Sequence, residues 1–391
     1  MRILQLCKKS PTPQIDGESI AIHQISKSIV AKGHQLDILA MLTEKHAQYD
    51  VQGQLDDVSY SYVRVPAKIR ALGAFKSIFS KIPYIIERFY SQEFLLALIQ
   101  QLNKHKYDII ICEGVFLGPY LESIRNYSAA KVVLRAHNVE HVIWKRLAAS
   151  YKNGLKRFYL RRIMVPQYTR YENEVIQEMD ALIPISPVDE AYFQGVTRNP
   201  IKCIPVALDI FEKAALPSRF SVGFLGGLDW QPNVDGVKWF LKEVWKPFVA
   251  DGKNVQLQIA GRNTPKEMFS WDYNKVTVLG EVASAQAFLN SQSVIIVPLF
   301  SGSGMRVKII EAMAFGKCIL STKIGAEGIN CVDDEHILLS EYPQDWIRAL
   351  EDLMTSSERV NRIGVAAKKL AEQEYCIGRY TKDLDVFLQG L

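Results

Sequence analysis

The chain has 391 residues, 48% of them hydrophobic and 23% charged, enough to bury a large core and to fill two domains rather than one. Its six cysteines, at 7, 112, 203, 318, 331 and 376, show no C-x-x-C and no paired spacing; this argues against a disulfide framework or zinc site and for reduced thiols in the cytoplasm. The opening MRILQLCKKSPTP is too short in apolar residues for a signal-peptide core, and no later run approaches the roughly 18 apolar residues of a membrane span.

In chain order, RILQLC reads as a buried strand, KKSPTPQIDG as a Pro/Gly loop, and ESIAIHQISKSIVAKG as a helix closed by Gly33, with HQLDILAM as the next strand. The 67–92 stretch spaces Lys and Arg among Ile, Phe and Tyr, as an interfacial helix or an ordinary helix packed on a sheet would. YDIIICEG, AKVVLRAH, ALIPIS and IKCIPVA continue the first series of strands. A second series follows in FSVGFLGG, VQLQIAG, VTVLG, SVIIVPLF and CILST. Apolar strands alternating with helices imply parallel sheets covered on both faces. The expected fold class is therefore α/β, with two Rossmann-like doubly wound domains and a cleft between them. The domains are set at 1–207 and 208–375, with a helix over 376–391 crossing back to the first.

The formal net charge is +5, but from His141 to Arg170 there are eight Lys/Arg and no Asp or Glu. Two readings stand: a solvated helical face, or a surface for anionic lipid headgroups or a phosphorylated substrate. No recognised nucleic-acid motif accompanies the patch, so no nucleic-acid partner is expected.

In open α/β sheets ligands bind beyond the C-terminal ends of strands. After SVIIVPLF the chain runs SGSGMRVKIIEAMAFGK, a glycine loop and then a helix expected to begin near Met305. Glycines admit close backbone approach, and a helix N-terminus offers free N–H groups and partial positive charge, an anion site. Arg306 and Lys308 add formal charge where the helix dipole disfavours it, which makes sense opposite a dianion. Lys308 and Glu311 share a face. They could form a plain surface ion pair. On a helix otherwise apolar nearly all round, however, Glu311 suits a pair of sugar hydroxyls. Diphosphate at the helix start and ribose one turn along describe a nucleotide. Neither G-x-x-x-x-G-K-[ST] nor a G-x-G-x-x-G after the first strand is present, which disfavours a nucleotide-hydrolysing motor and a dehydrogenase.

PLFSGSGMRVKIIEAMAFGKCILSTKIGAEGI resembles the donor-binding segment of retaining glycosyltransferases of the family-4 group, which have the two-Rossmann-domain GT-B fold. VGFLGGLDWQPNVDGVKWF, IAGRNTP and VLGEV are similar to other C-terminal segments of that group, in the same order. PTPQIDGES and LRAHNVEHVIWKR resemble its N-terminal glycine loop and histidine segment. The resemblance implies a transferase moving a sugar from a nucleotide-diphosphate donor to a glycan or lipid-linked acceptor with retention, in cell-surface polysaccharide synthesis. It implies Glu311 at the ribose and Arg306 and Lys308 at the diphosphate, with Gly17 and the loop residues Gly226, Gly302, Ser303 and Gly304 on the donor. Arg262 and the backbone near Val282 would lie by the base, and His137 near the transferred sugar. No cofactor and no metal are expected. Two departures matter. Ser303 stands where the family often has a Glu, and GGLDWQPN lacks the Arg and Lys often found there, a charge that Arg306 and Lys308 would supply instead.

HNVEH at 137–141 also fits the H-x-x-E-H of some zinc peptidases; the strand before it and the lack of a third ligand argue against zinc. No carboxylate in the matched segments stands out as a nucleophile, so the same-face route of retention is expected. Glu140 and Glu113 are weaker candidates for acceptor contacts. A sugar-nucleotide epimerase or phosphorylase, or a non-catalytic sugar-nucleotide binder of the same architecture, are the alternatives. The expected location is the cytoplasm, with a peripheral contact to the inner face of an anionic membrane.

Overall fold

A computed structural model of the chain describes all residues except 15, 45, 48, 69–79, 81, 151–153, 209–214 and 303. It divides into two compact units, Met1–Ala207 with Ile377–Leu391, and Leu208–Cys376. Each carries a six-stranded sheet whose paired strands all run parallel. These are two Rossmann-like doubly wound domains.

The first sheet has the order β3-β2-β1-β4-β5-β6, with β1 Arg2–Cys7, β2 Gln35–Leu42, β3 Val58–Arg64, β4 Ile109–Glu113, β5 Lys131–Ala136 and β6 Ala181–Pro184. Alternation along β1 explains the two cores. Ile3 and Cys7 join Ile22, Ile25 and Ile29 of the Gly17–Ala31 helix on one face, whereas Leu4 and Leu6 join Phe94, Leu98, Tyr168 and Ile176 on the other. The Gly17–Ala31 helix starts in a capping box between Asp16 and Ser19. The Ile377–Gln389 helix packs on it through Tyr380, Leu384 and Leu388, with Ser28 hydrogen bonded to Thr381 at 2.8 Å.

Three strand assignments differ from the sequence reading, one of them the two-residue edge strand Leu338–Leu339, which that reading lacks. VSYSYVR forms the edge strand β3, which its polar Ser and Tyr content hides. IKCIPVA runs along β6 but makes only an isolated bridge, Leu182 to Ile201: Ile204 N–H donates to the Pro184 carbonyl at 2.9 Å, yet Pro184 has no N–H to complete the next rung. Of the 67–92 stretch, read as an interfacial helix or an ordinary packed one, residues 69–79 and 81 lie outside the described residues, and the described part holds the helical turn Tyr84–Glu87.

The second sheet has the order β12-β11-β10-β7-β8-β9, with β7 Ser221–Leu225, β8 Gln256–Ala260, β9 Val276–Gly280, β10 Val294–Val297, β11 Cys318–Ser321 and β12 Leu338–Leu339. One core face gathers Phe224, Phe240, Trp245, Phe248 and Trp346, with Trp346 edge-on to Phe240 at 5.6 Å. Among the described residues no helix is long and apolar enough to cross a membrane.

Candidate active site

In the second unit, β10, β7, β8 and β9 are consecutive neighbours, so the loops after their C-terminal ends form one edge. That edge carries Gly226 after β7, Arg262 after β8, Val282 after β9 and the 302–308 loop and helix start after β10. Gly302 and Gly304 have φ of +112° and +80°, a conformation that costs little only for glycine. These kinks hold the chain out of helical geometry, and the helix spans Val307–Ala314, two residues later than expected. Arg306 is thus its N-cap, in extended backbone and with no side-chain cap bond. Ser303 lies outside the described residues.

The two cations meet the loop after β7. The Arg306 guanidinium lies over the Trp230 ring, 5.2 Å from its centre. Lys308 Nζ donates to Asn233 Oδ1 at 2.9 Å, and Asn233 Nδ2 donates to the Gly227 carbonyl at 2.7 Å. Lys308 also lies 4.9 Å from the centre of the Phe224 ring. Burial, with the Arg306 charge beside it, pushes the Lys308 ammonium down to about 7. The i,i+3 ion pair to Glu311 does not form, because the lysine turns to Asn233. Among the described residues Glu311 has no ion pair, and burial raises its carboxyl above the usual range. Arg262 offers its carbonyl to the Leu228 N–H at 2.9 Å, which ties the β8 loop to the β7 loop. Gly226, Gly302, Arg306 and Lys308 are thus brought together, with Val282 on the same edge and Glu311 one turn along the helix.

In the first unit, register pairs Cys7 with Glu113 and Glu113 with Arg135, placing the ends of β1, β4 and β5 side by side. His137 follows β5, and its Nε2 lies 2.7 Å from Glu113 Oε2. The other oxygen of this fully buried Glu113 accepts from Gln5 Nε2 at 2.7 Å, and Gln5 in turn accepts from Ser26 at 2.6 Å. Arg135, also fully buried, lies 3.9 Å from Glu113 and donates to the Tyr380 hydroxyl at 2.7 Å. Gly17 opens the helix after β1. Beside it, Glu18 pairs with Lys8 at 3.1 Å and Lys9 at 3.0 Å. Burial alone would raise the Glu18 carboxyl, but Lys8, Lys9 and His137 outweigh it and hold the group well below the usual range.

The H-x-x-E-H residues have separate partners. His141 Nδ1 lies 2.6 Å from Glu172 Oε2, and the Glu172 carboxylate also accepts the backbone N–H groups of Glu140 and His141 at 2.9 and 3.0 Å. It therefore caps the Glu140–Ser150 helix. Burial, with Glu172 and Glu18 nearby and only Lys8 and an Asn138 hydrogen bond opposing, raises the Glu140 carboxyl to about 7.

Residues 219–356 match the model of a family described as glycosyl transferases, group 1. The matched segment lies wholly within the second unit, Leu208–Cys376, which is thus similar to a group 1 glycosyl transferase domain. Over 354 residues, 87% of each chain, the protein is 23% identical to an uncharacterised 44.6 kDa protein in the cps region of Klebsiella pneumoniae. Its fold is shared along the whole chain with solved GT-B structures. Sucrose-phosphate synthase from Thermosynechococcus elongatus superposes with a TM-score of 0.75 at 17% identity, covering 100% of this chain and 99% of that one. Staphylococcus aureus TarM gives 0.71 at 12%, covering 99% and 100%, and Anabaena HepE gives 0.67 at 14%, covering 100% of both.

Trp230, Asn233 and Gln5 are absent from the residues that sequence reasoning singled out. The first two stand in GGLDWQPN directly after a strand, the one local signal that could have flagged them.

Proposed function

We propose that the protein is a retaining glycosyltransferase that moves a sugar from a nucleotide-diphosphate donor to a glycan or lipid-linked acceptor in cell-surface polysaccharide synthesis. The observation that carries this reading is the pair Arg306 and Lys308 at a glycine-loop helix start inside the segment similar to a group 1 domain, with Glu311 one turn along. In this reading helix N–H groups and both cations hold the diphosphate, and Glu311 accepts two ribose hydroxyls. HepE was solved with UDP and with UDP-glucose, TarM with fondaparinux, alpha-GlcNAc-glycerol and UDP, and the Klebsiella relative lies in a cps region; all three support it.

The chemistry we propose needs no metal. The bond from the anomeric carbon to the β-phosphate oxygen breaks, and the acceptor oxygen bonds that carbon on the same face. The acceptor proton passes to the departing phosphate. Arg306 and Lys308 stabilise the charge that develops there, and His137 orients the sugar. The acceptor is assigned to the first unit. There the Gly154–Tyr159 helix leaves Leu155 85% and Phe158 61% exposed between Lys156, Arg157, Arg161 and Arg162, while Leu160 and Met164 turn inward onto Ala148 and Trp144. Apolar tips in an all-basic setting suit the anionic inner face of a membrane, so we place the enzyme there, peripherally, in the cytoplasm.

The test is a thermal-shift panel of UDP, GDP, ADP and CMP on wild type and Glu311→Ala. A nucleotide held at 100 times its dissociation constant stabilises by about 2.7 kcal/mol, and that gain should largely vanish in the variant. If none of the four shifts the wild type, the transferase reading fails.

A further inference from the structure

We infer that Trp230 and Asn233 are positioning residues that hold Arg306 and Lys308 in place for a diphosphate without neutralising them. The inference rests on the reading of those cations as donor ligands. Trp230 is the N-cap of the Gln231–Trp239 helix and Asn233 lies three residues on, so one helix start reaches both cations. It does so with an aromatic face at 5.2 Å and an amide oxygen at 2.9 Å.

The chemistry of these partners is the point. Two like charges two residues apart, at the end of a helix where the dipole repels them, would turn outward into water. A carboxylate partner would prevent that but cancel the charge. A ring face and an amide oxygen attract a cation while leaving its charge available to a ligand. Asn233 is itself buried, and its orientation is fixed: its oxygen faces the ammonium and its nitrogen donates to Gly227. The reversed amide would point N–H groups at N–H groups.

The packing leaves no slack. A Cβ on Gly302 would come 2.6 Å from Arg306 and 2.9 Å from Trp230, and a Cβ on Gly226 would come 3.1 Å from both the Lys308 ammonium and the Asn233 amide. Among the described residues, the charge that acts on Lys308 is that of Arg306, before it in the chain, and Glu311 lies one turn along its own helix. Asn233 and Phe224, which face it from the other elements, do not titrate.

The experiment titrates wild type and variants with whichever of UDP, GDP and ADP binds, between pH 6 and 8.5. Trp230→Ala and Asn233→Ala should each weaken binding about tenfold, the scale of one charge-assisted hydrogen bond, while Trp230→Phe keeps most of the affinity. Trp230→Ala should add nothing to Arg306→Ala, and Asn233→Ala nothing to Lys308→Ala. Wild-type affinity should fall with rising pH as Lys308 loses its proton. Asn233→Asp, which puts a carboxylate on the ammonium, should move that fall to higher pH and lower the affinity at pH 6. Wild-type affinity in Trp230→Ala and Asn233→Ala, or additive losses in the double variants, would overturn the inference while leaving the donor reading intact. If no nucleotide binds the wild type, both fall together.

Discussion

At the scale of single residues, the first unit sets two carboxylates to opposite tasks. Glu113 is fully buried and committed through both oxygens, to Gln5 and to His137. A carboxylate can only accept, so it fixes the proton of the imidazole on Nε2. Glu113→Gln should reverse this: its amide oxygen keeps the Gln5 bond, its nitrogen donates to Nε2, and the ring proton moves to Nδ1. Ring ¹⁵N shifts of His137 would report the exchange directly. If His137 orients the sugar, losing a charge-assisted bond of about 1.5–3 kcal/mol should slow transfer roughly 10- to 100-fold. Glu140 behaves the other way. Burial raises it to about 7, so between about pH 4.5 and 7 the folded chain holds a proton that the unfolded chain has released. The folded state binds more protons there, and stability contributed by this group falls as pH rises through that window. Glu140→Gln should therefore raise the melting temperature at pH 8 and change it little at pH 4.5. Glu140 keeps part of its surface open to water, which tempers the gain, and a series of melts across pH would measure it.

At the scale of elements, legibility follows locality. The strands RILQLC, DIIICE, KVVLRA and VIIV are near-continuous apolar runs because both faces of a parallel sheet are covered, and each is plain in the sequence. VSYSYVR is harder to read because an edge strand buries less, and IKCIPVA misleads because it has a strand's composition and runs along β6, where Pro184 leaves the ladder incomplete. The helix after SGSG can be read from its own residues, charges included. Its partners cannot: Asn233 lies 75 residues from Lys308, and only the pairing of β10 with β7 brings them together. The same holds for Glu113 and His137, joined by the pairing of β4 with β5. The Gly154–Tyr159 helix gives an element-scale prediction. Leu155→Asp with Phe158→Asp removes the apolar tips and adds negative charge, yet touches none of the satellite core at Ala148, Leu160 and Met164. Wild type should co-sediment with vesicles containing phosphatidylglycerol at low salt, and release as salt screens the charges. The double variant should stay in the supernatant with an unchanged melting temperature. Equal sedimentation of both proteins would remove the membrane from the proposed function.

At the scale of the whole molecule, the second unit is continuous in sequence while the first is closed by the last helix, Ile377–Gln389. The ends of the second unit meet: Leu208 bridges Cys376 in parallel and donates its N–H to the Tyr375 carbonyl at 2.9 Å. A unit whose termini adjoin, with its own sheet and its own core of Phe224, Phe240, Trp245 and Trp346, has the anatomy of an insertable domain. Residues 208–376 expressed alone should therefore fold. Every side chain proposed for the diphosphate and ribose lies within that segment, so the excised domain should bind the same nucleotide as the full chain. It should lack transfer activity, because His137 and the proposed acceptor surface are left behind. A cooperative melt that shifts upward with that nucleotide, and not in the Lys308→Ala version, is the expected result. If the segment folds yet ignores a nucleotide that the full chain binds, then the first unit contributes more to the donor than Gly17 and His137, and the division of labour between the two sheets has to be redrawn.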